Sequence, residues 1–553
     1  MESPLKGGRA WQAAALILAV PAFLFPLYNP DLFWHLSVAR WIIENRSLPR
    51  ADFLSFTAAG REWLDFEWLS QLVFCGAHSL GGMGGLWLVK IILLAASWLV
   101  LDKVLRLNQA SGHARAGALG LWSAGVLAHS DIRPELFSVL FLSLTFHLLE
   151  IQRLGKRGPC KPALAGGLLF ALWANLHAGF TFGLALIVLY GLVEAARRRW
   201  AAAGGAALLA AAGAAGTLLN PYGLGPHRVA WHHFQMRAEL SLYIKEWHPM
   251  TLENPLHWPF WAVLAFCGLL LLYRLAPWGE FESLPWAPAL AAVYFGAGAL
   301  AHARLAAFFN VSAVLFLCAL AAEAGWLGQE RLIRRILLAG FALYAGYLAW
   351  LIPHVSWRGV FNYKHVPRQA TEFMARERRV VERLRIFNQW EWGGYLAWRL
   401  HPWFKVFGDG RYIFHAQLPE TAGAASESGR WREFMEKKGL TGALVPNLDM
   451  AFPTRRLYPD KTSKTFQRPW YLFYMPRERW ALVYWDDQAL FLVERRAVPG
   501  DWLSRHEYRY WLPKDRPAFQ EALRLGEIPA ERLAAERARQ EQERNLTPLS
   551  PSP

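Results

Sequence analysis

Long apolar runs alternate with short charged clusters through roughly the first two thirds of the chain. The runs cover Trp11–Tyr28, Gly84–Leu101, Ala116–His129, Leu136–Ile151, Pro162–Asn175, Phe180–Ala196, Ala201–Leu219, Pro259–Tyr273, Trp286–Leu300, Leu305–Leu327 and Ile336–Ile352. A helix needs about 20 mostly apolar residues to cross a bilayer, so these runs predict about 11 transmembrane helices, several of them short. Lys6 and Arg9 precede the first run and no small-residue cleavage pattern follows it, so it reads as an anchor rather than a removed signal. The pattern changes near His354. Strand-like stretches appear at Arg385–Phe387, Lys405–Phe407, Ala443–Val445, Trp480–Tyr484 and Leu490–Val493, with a helical stretch at Gly429–Lys438. That alternation predicts a C-terminal α/β or α+β domain over residues 354–515, after a transmembrane domain over 1–353. Residues 516–553 read as a charged helical tail whose final TPLSPSP is disordered.

Charge then orients the predicted path. With the N-terminus in the cytoplasm, the inside loops hold Lys103, Arg106 and Arg115; Arg153, Lys156, Arg157 and Lys161; Arg197, Arg198 and Arg199; and Arg331, Arg334 and Arg335. Cytoplasmic loops collect Lys and Arg, so the alternation places the C-terminal domain outside. The loop Arg274–Pro285, with Glu280 and Glu282, is the weak member of the series. The net charge of +16 sits largely in these loops rather than along one face with interleaved aromatics, which argues against nucleic acid as a partner. Hydrophobic residues make up 54% of the chain and charged residues 18%, with a mean hydropathy of +0.14, which excludes a disordered chain or a small disulfide scaffold. The 4 cysteines are far apart and form no metal-binding or disulfide pattern.

Candidate chemistry gathers on the face predicted to be outside. The first long outer loop, 29–82, holds Asp31 beside Phe33, Trp34 and His35, then an amphipathic stretch around Trp41–Ile43 that suits an interface helix. The same loop holds Asp65 and Glu67 among Trp63, Phe66 and Trp68. A carboxylate partly desolvated by aromatics gains basicity, as a general base for a hydroxyl requires. The alternatives are that Asp31 caps the interface helix and that Asp65 and Glu67 pair with Arg50 or Arg61. Arg133 in HSDIRPE, His177 in NLHAG, Arg304 in AHAR and Lys245 in the second long loop, 220–258, are cations suited to a phosphate. Arg133 and Arg304 could equally snorkel to headgroups, or pair with Asp131. Asp31, His35, Asp65 and Glu67 leave room for a divalent cation, but no fixed ligand spacing assigns a metal. In the C-terminal domain, NQWEWGGYLAWRL and GDGRY are rich in Trp, Tyr, Asp and Arg. They suit either sugar packing or a tight turn in which Asp409 and Arg411 are tied together.

The order of first span, acidic residue just outside it, and long loop with an interface helix resembles the GT-C superfamily of multi-pass glycosyltransferases. Protein O-mannosyltransferases, oligosaccharyltransferases and the lipid A aminoarabinose transferase belong to it. DLFWHLSVARWI, DFLSFTAAGREWLDFEWLSQ, DIRPELFS, ANLHAGF, NPYG, EWGGYLAWRL and GDGRY together resemble a group of uncharacterised bacterial membrane proteins within it, from Asp31 to about Val493. The resemblance implies a polyprenyl-phosphate-linked sugar donor, an acceptor that is a lipid, polysaccharide or protein, and residence in a bacterial inner membrane. It places the catalytic carboxylate at Asp31; the residues themselves add Asp65 and Glu67 as further candidates and His35, Arg133, His177, Lys245 and Arg304 as substrate or phosphate ligands. A lipid-linked-sugar transporter and a non-catalytic membrane scaffold are the competing readings.

Overall fold

The computed structural model describes residues 4–275, 284–323, 330–355 and 359–544. Residues 276–283 of the predicted Arg274–Pro285 loop, part of the 328–335 cluster and the terminal TPLSPSP lie outside them. The chain forms two compact units, residues 1–29 with 64–362 and residues 30–63 with 363–553.

The first unit is helical, and among the described residues a helix overlaps each apolar run of the sequence. Among the described residues, six segments are long and apolar enough to cross a membrane: Trp68–Leu107, Glu135–Arg153, Trp200–Thr217, Pro255–Leu272, Ala303–Leu320 and Arg334–His354. Four shorter apolar helices, Trp11–Leu24, Cys160–Trp173, Phe180–Ala196 and Trp286–Ala301, accompany them. The Trp68–Leu107 helix starts well before the apolar run at Gly84. It is broken by non-helical angles at Gly81 and Gly82, and Gly82 has φ 56°, a left-handed conformation that costs glycine no steric strain. The sequence placed the end of the first long loop at this break. Lys90, in the same helix, is fully buried, and its ammonium donates to the Phe25 carbonyl just past the Pro4–Leu24 helix. A cation at a helix C-terminus satisfies a carbonyl that has no partner within the helix.

The second unit joins the first-loop segment to the C-terminal domain. Its sheet contains β1 (Ile386–Asn388), β2 (Gly442–Pro446), β5 (Trp480–Trp485) and β6 (Ala489–Glu494), in the order β1-β2-β6-β5. The β1–β2 pair is parallel and the others antiparallel. A separate hairpin pairs β3 (Ala451–Leu457) with β4 (Ser463–Pro469). The stretch Lys405–Phe407 does not become a sheet strand. Val406 instead bridges Ser55, its N–H donating to the Leu54 carbonyl at 3.0 Å and its own carbonyl accepting from Phe56 at 3.1 Å. Phe387, Phe407, Trp431, Phe434, Tyr471, Leu482 and Leu492 share one apolar core. The Leu32–Asn45 helix packs its buried face, with Leu32, Phe33, Leu36 and Ala39, against the Gly393–Leu400 helix. Helix Ser428–Lys437 lies in the helical stretch expected at Gly429–Lys438, and the charged tail holds two helices, Arg516–Arg524 and Ala530–Arg544.

Candidate active site

In the first unit, helix ends bring polar residues together from positions far apart in sequence. Glu67 directly precedes the Trp68–Leu107 helix, and His177 lies in the turn between Cys160–Trp173 and Phe180–Ala196. One backbone and one side-chain tie join these segments: the Leu69 N–H donates to the Asn175 carbonyl at 3.2 Å, and Trp68 Nε1 donates to Asn175 Oδ1 at 3.0 Å. His177 Nε2 is 3.9 Å from Glu67 Oε1. Asp65 is buried and accepts from Gln71 Nε2 at 2.6 Å.

The hydrogen bonds around His177 fix its tautomer. The Gly179 N–H donates to Nδ1 at 3.1 Å, so Nδ1 carries no proton. Ser138 Oγ, 2.6 Å from Nδ1, therefore donates to it, while Trp173 Nε1 donates to Ser138 Oγ at 2.7 Å. The ring proton is left on Nε2, facing Glu67. Burial, with Arg304 and His233 nearby, lowers the His177 pKa from 6.5 to about 3. The contact with Glu67 is therefore made by a neutral imidazole and is not an ion pair at neutral pH. The sequence presents His177 as a cation and does not show the Trp173–Ser138 relay, because Ser138, which links the two, lies 39 residues away in the chain.

A second cluster in the same unit centres on Glu246, in the turn Lys245–Trp247. Arg133 pairs with Glu246 Oε2, and Arg304 Nη1 lies 3.9 Å from its Oε1. One carboxylate thus faces two guanidinium groups, one before the Glu135–Arg153 helix and one before Ala306–Glu323. The Arg304 guanidinium also stacks 4.7 Å from the Trp247 ring centre. The turn is pinned: His302 Nδ1 donates to the Trp247 carbonyl at 2.9 Å, and the Ala303 N–H donates to the His248 carbonyl at 2.9 Å. Lys245, on the same turn, is exposed. Asp131, offered by the sequence as a partner for Arg133, accepts instead from the backbone N–H groups of Tyr28, at 3.0 Å, and Ile132, at 2.7 Å. Burial raises its pKa, while Lys90, Arg133 and these bonds pull the other way.

In the second unit, Asp31 is the residue before the Leu32–Asn45 helix and makes no side-chain cap bond. Its carboxylate lies against Gly410 of GDGRY, so closely that a Cβ at Gly410 would overlap Oδ1. Trp34 Nε1 borders the same point at 3.3 Å and is buried with no hydrogen-bond partner among the described residues. His35 is buried and stacks on Trp34, with ring centres 3.6 Å apart. The flanking residues form a buried ion cluster. Arg411 is 1% exposed, and its Nη2 lies 2.6 Å from Asp52 Oδ1 and 2.8 Å from Asp409 Oδ2. Arg411 Nε also donates to Asp409 Oδ1 at 2.8 Å. Burial disfavours the charge, but Asp409 and then Asp52 outweigh it and hold the Arg411 pKa above its ordinary value. The tie between Asp409 and Arg411 is the turn-fixing alternative raised from the sequence; Asp52 is the member that the sequence did not indicate.

Among the described residues, no group of three or more His, Cys, Asp or Glu side chains is arranged to hold a metal ion. What the clusters offer chemically is a carboxylate seated on bare backbone, a neutral imidazole facing a second carboxylate, and a paired-arginine anion site.

No protein-family model matches the chain, and no curated protein matches its sequence. Solved structures match its fold. The oligosaccharyltransferase of Archaeoglobus fulgidus, in the apo form, superposes with a TM-score of 0.56 at 13% identity, over 93% of this chain and 82% of that one. ArnT from Cupriavidus metallidurans, bound to undecaprenyl phosphate, superposes with a TM-score of 0.50 at 13% identity, over 89% of this chain and 98% of that one. The chain shares its fold with these two proteins over most of its length, and among the described residues six segments are long and apolar enough to cross a membrane, in keeping with the multi-pass architecture that the sequence resemblance implied.

Proposed function

We propose that the protein is a membrane glycosyltransferase that moves a sugar from a polyprenyl-phosphate-linked donor to an acceptor hydroxyl at the extracytoplasmic face of a bacterial inner membrane. The observation that carries this reading is the paired-arginine site of Arg133 and Arg304 around Glu246, on a fold shared with a protein that binds undecaprenyl phosphate. Asp31 accepts the proton of the acceptor hydroxyl. The acceptor oxygen bonds to the anomeric carbon, the bond from that carbon to the phosphate oxygen breaks, and the polyprenyl phosphate leaves with the electron pair. Arg133 and Arg304 stabilise the charge that develops on that phosphate, which fixed guanidinium groups do without reorganising. His177 supplies a neutral N–H donor beside Glu67 rather than a positive charge. Asp65, buried and accepting from Gln71 Nε2, is the second carboxylate candidate. His35 supports the Asp31 segment through its stack on Trp34. Lys245, exposed beside Glu246, adds positive potential.

The test is turnover of a panel of labelled polyprenyl-phosphate sugars by purified protein, wild type against Asp31→Asn. The expected result is sugar release or transfer from at least one donor by wild type and its loss in the variant. Full activity of Asp31→Asn on a verified donor would remove Asp31 from the chemistry.

A further inference from the structure

The GDGRY and EWGGY motifs are unused by the reaction as described, yet both surround the start of the Leu32–Asn45 helix. Gly410 is not among the glycines with positive φ, so its backbone would accept alanine. What requires glycine there is space, because a Cβ would overlap Oδ1 of Asp31. Gly394 meets the same segment from the other motif: a Cβ there would lie 3.0 Å from the Trp34 nitrogen and 3.2 Å from the Pro30 carbonyl oxygen. Gly393 in turn leaves no room for a Cβ against the Gly408 carbonyl, so the two motifs also pack on each other. The turn carrying Gly410 is held on both sides. Arg411 grips Asp409 through two nitrogens and Asp52 through one, and Asp52 is itself fixed by Ser55, whose Oγ donates to Oδ2 at 2.6 Å. The Trp63 ring covers the Arg411 guanidinium, with 4.6 Å between the guanidinium carbon and the ring centre.

We infer that the Asp409–Gly410–Arg411 turn, locked by Asp52, is a positioning device for the Asp31 carboxylate. Gly410 provides a backbone seat with no side chain, and the ion cluster prevents the seat from moving. Asp31 then meets an acceptor hydroxyl from one fixed direction. The inference rests on the reading of Asp31 as the base. Arg411, Asp409, Asp52 and Gly410 are positioning residues under it, since each acts through Asp31.

The experiment is a double-variant cycle with Gly410→Ala and Asp31→Asn, measured on the full-length protein with a donor verified by the turnover panel. A displacement of about 1 Å at a reacting group can cost about a hundredfold in rate. Gly410→Ala is therefore expected to lower kcat by about 10- to 100-fold while the donor KM changes by less than about twofold. In the Asp31→Asn background the same change is expected to cost less than about threefold, because the group it displaces no longer works. If Gly410→Ala also lowers the melting temperature, Asp31→Ala combined with Gly410→Ala is expected to restore it, since the overlap is with that one side chain. Equal losses from Gly410→Ala in both backgrounds would overturn the inference, as would a melting temperature that Asp31→Ala fails to restore. Wild-type turnover by Gly410→Ala, with Asp31→Asn inactive, would overturn the inference and leave the function standing. Full activity of Asp31→Asn would overturn the reading of Asp31 and this inference together.

Discussion

Glu246 stands where a phosphate would be useful. Its two oxygens face Arg133 and Arg304, the groups that the proposed function gives to the donor phosphate, so under that proposal the donor displaces it. Replacing Glu246 by Gln keeps the shape and removes the charge. The arginines keep their charge and still hydrogen-bond the amide, so what is lost is the ion-pair part of the contact, about 0.2–1 kcal/mol for an exposed pair and more for a partly buried one. The side chains are 32% exposed at Arg133, 29% at Glu246 and 26% at Arg304, so the contact is partly screened by solvent and a loss of about 1 kcal/mol applies. Displacing glutamine should therefore cost about 1 kcal/mol less than displacing glutamate, and donor binding should tighten by about fivefold. The assay is titration of undecaprenyl phosphate into wild type and Glu246→Gln in nanodiscs at low and high salt. The gain is expected to shrink as salt rises. Unchanged or weaker binding by Glu246→Gln at low salt would refute the reasoning, because the carboxylate would then be helping to build the site rather than occupying it.

Three further outcomes follow from the described contacts. Ser138→Ala leaves the Trp173 N–H and His177 Nδ1 without their shared partner in a buried place, so thermal unfolding should show a loss of about 1–3 kcal/mol; an unchanged melting temperature would mean that the relay is not formed. His177 has its folded pKa lowered to about 3, so between that value and 6.5 the unfolded chain binds more protons than the folded one. Stability should accordingly fall as pH drops from 6.5 toward 3, by up to about 1.4 kcal/mol per unit from this group, and a pH series of melting curves should be flatter in His177→Gln. Asp52→Leu removes one carboxylate from Arg411 in a fully buried cluster, where breaking a buried pair costs about 3–5 kcal/mol; a melting temperature within error of wild type would show that Asp409 alone suffices.

The sequence revealed the helices because membrane crossing imposes length and hydropathy on contiguous residues, and among the described residues a helix overlaps each apolar run. It placed the start of the second helix at the glycine break rather than at Trp68, since Gly81 and Gly82 mimic a loop end. The convergence of Glu67 with His177, and of Arg133 with Arg304, was legible as an accumulation of ionisable residues at helix ends. Their partners were not. Ser138 looks like an ordinary small residue within an apolar run, and Asp52 like a loop carboxylate. Each acquires its role only through pairings 39 and 359 residues apart. The β3–β4 hairpin was missed because its outward positions carry Arg455, Lys464 and Pro453, and its alternating exposure leaves few apolar residues to reveal the period. The membership of residues 30–63 in the same unit as the C-terminal domain is likewise a long-range fact that local periodicity does not encode.

The most direct measurement is sugar turnover from labelled polyprenyl-phosphate donors by purified protein and by Asp31→Asn. Wild type is expected to release or transfer sugar from at least one donor, and Asp31→Asn to retain donor binding while losing about a hundredfold to ten-thousandfold in rate, the usual size of general-base loss. Wild type that binds polyprenyl phosphate but turns over no donor with any acceptor class, or Asp31→Asn at full rate, would contradict the proposal that this fold performs glycosyl transfer through Asp31.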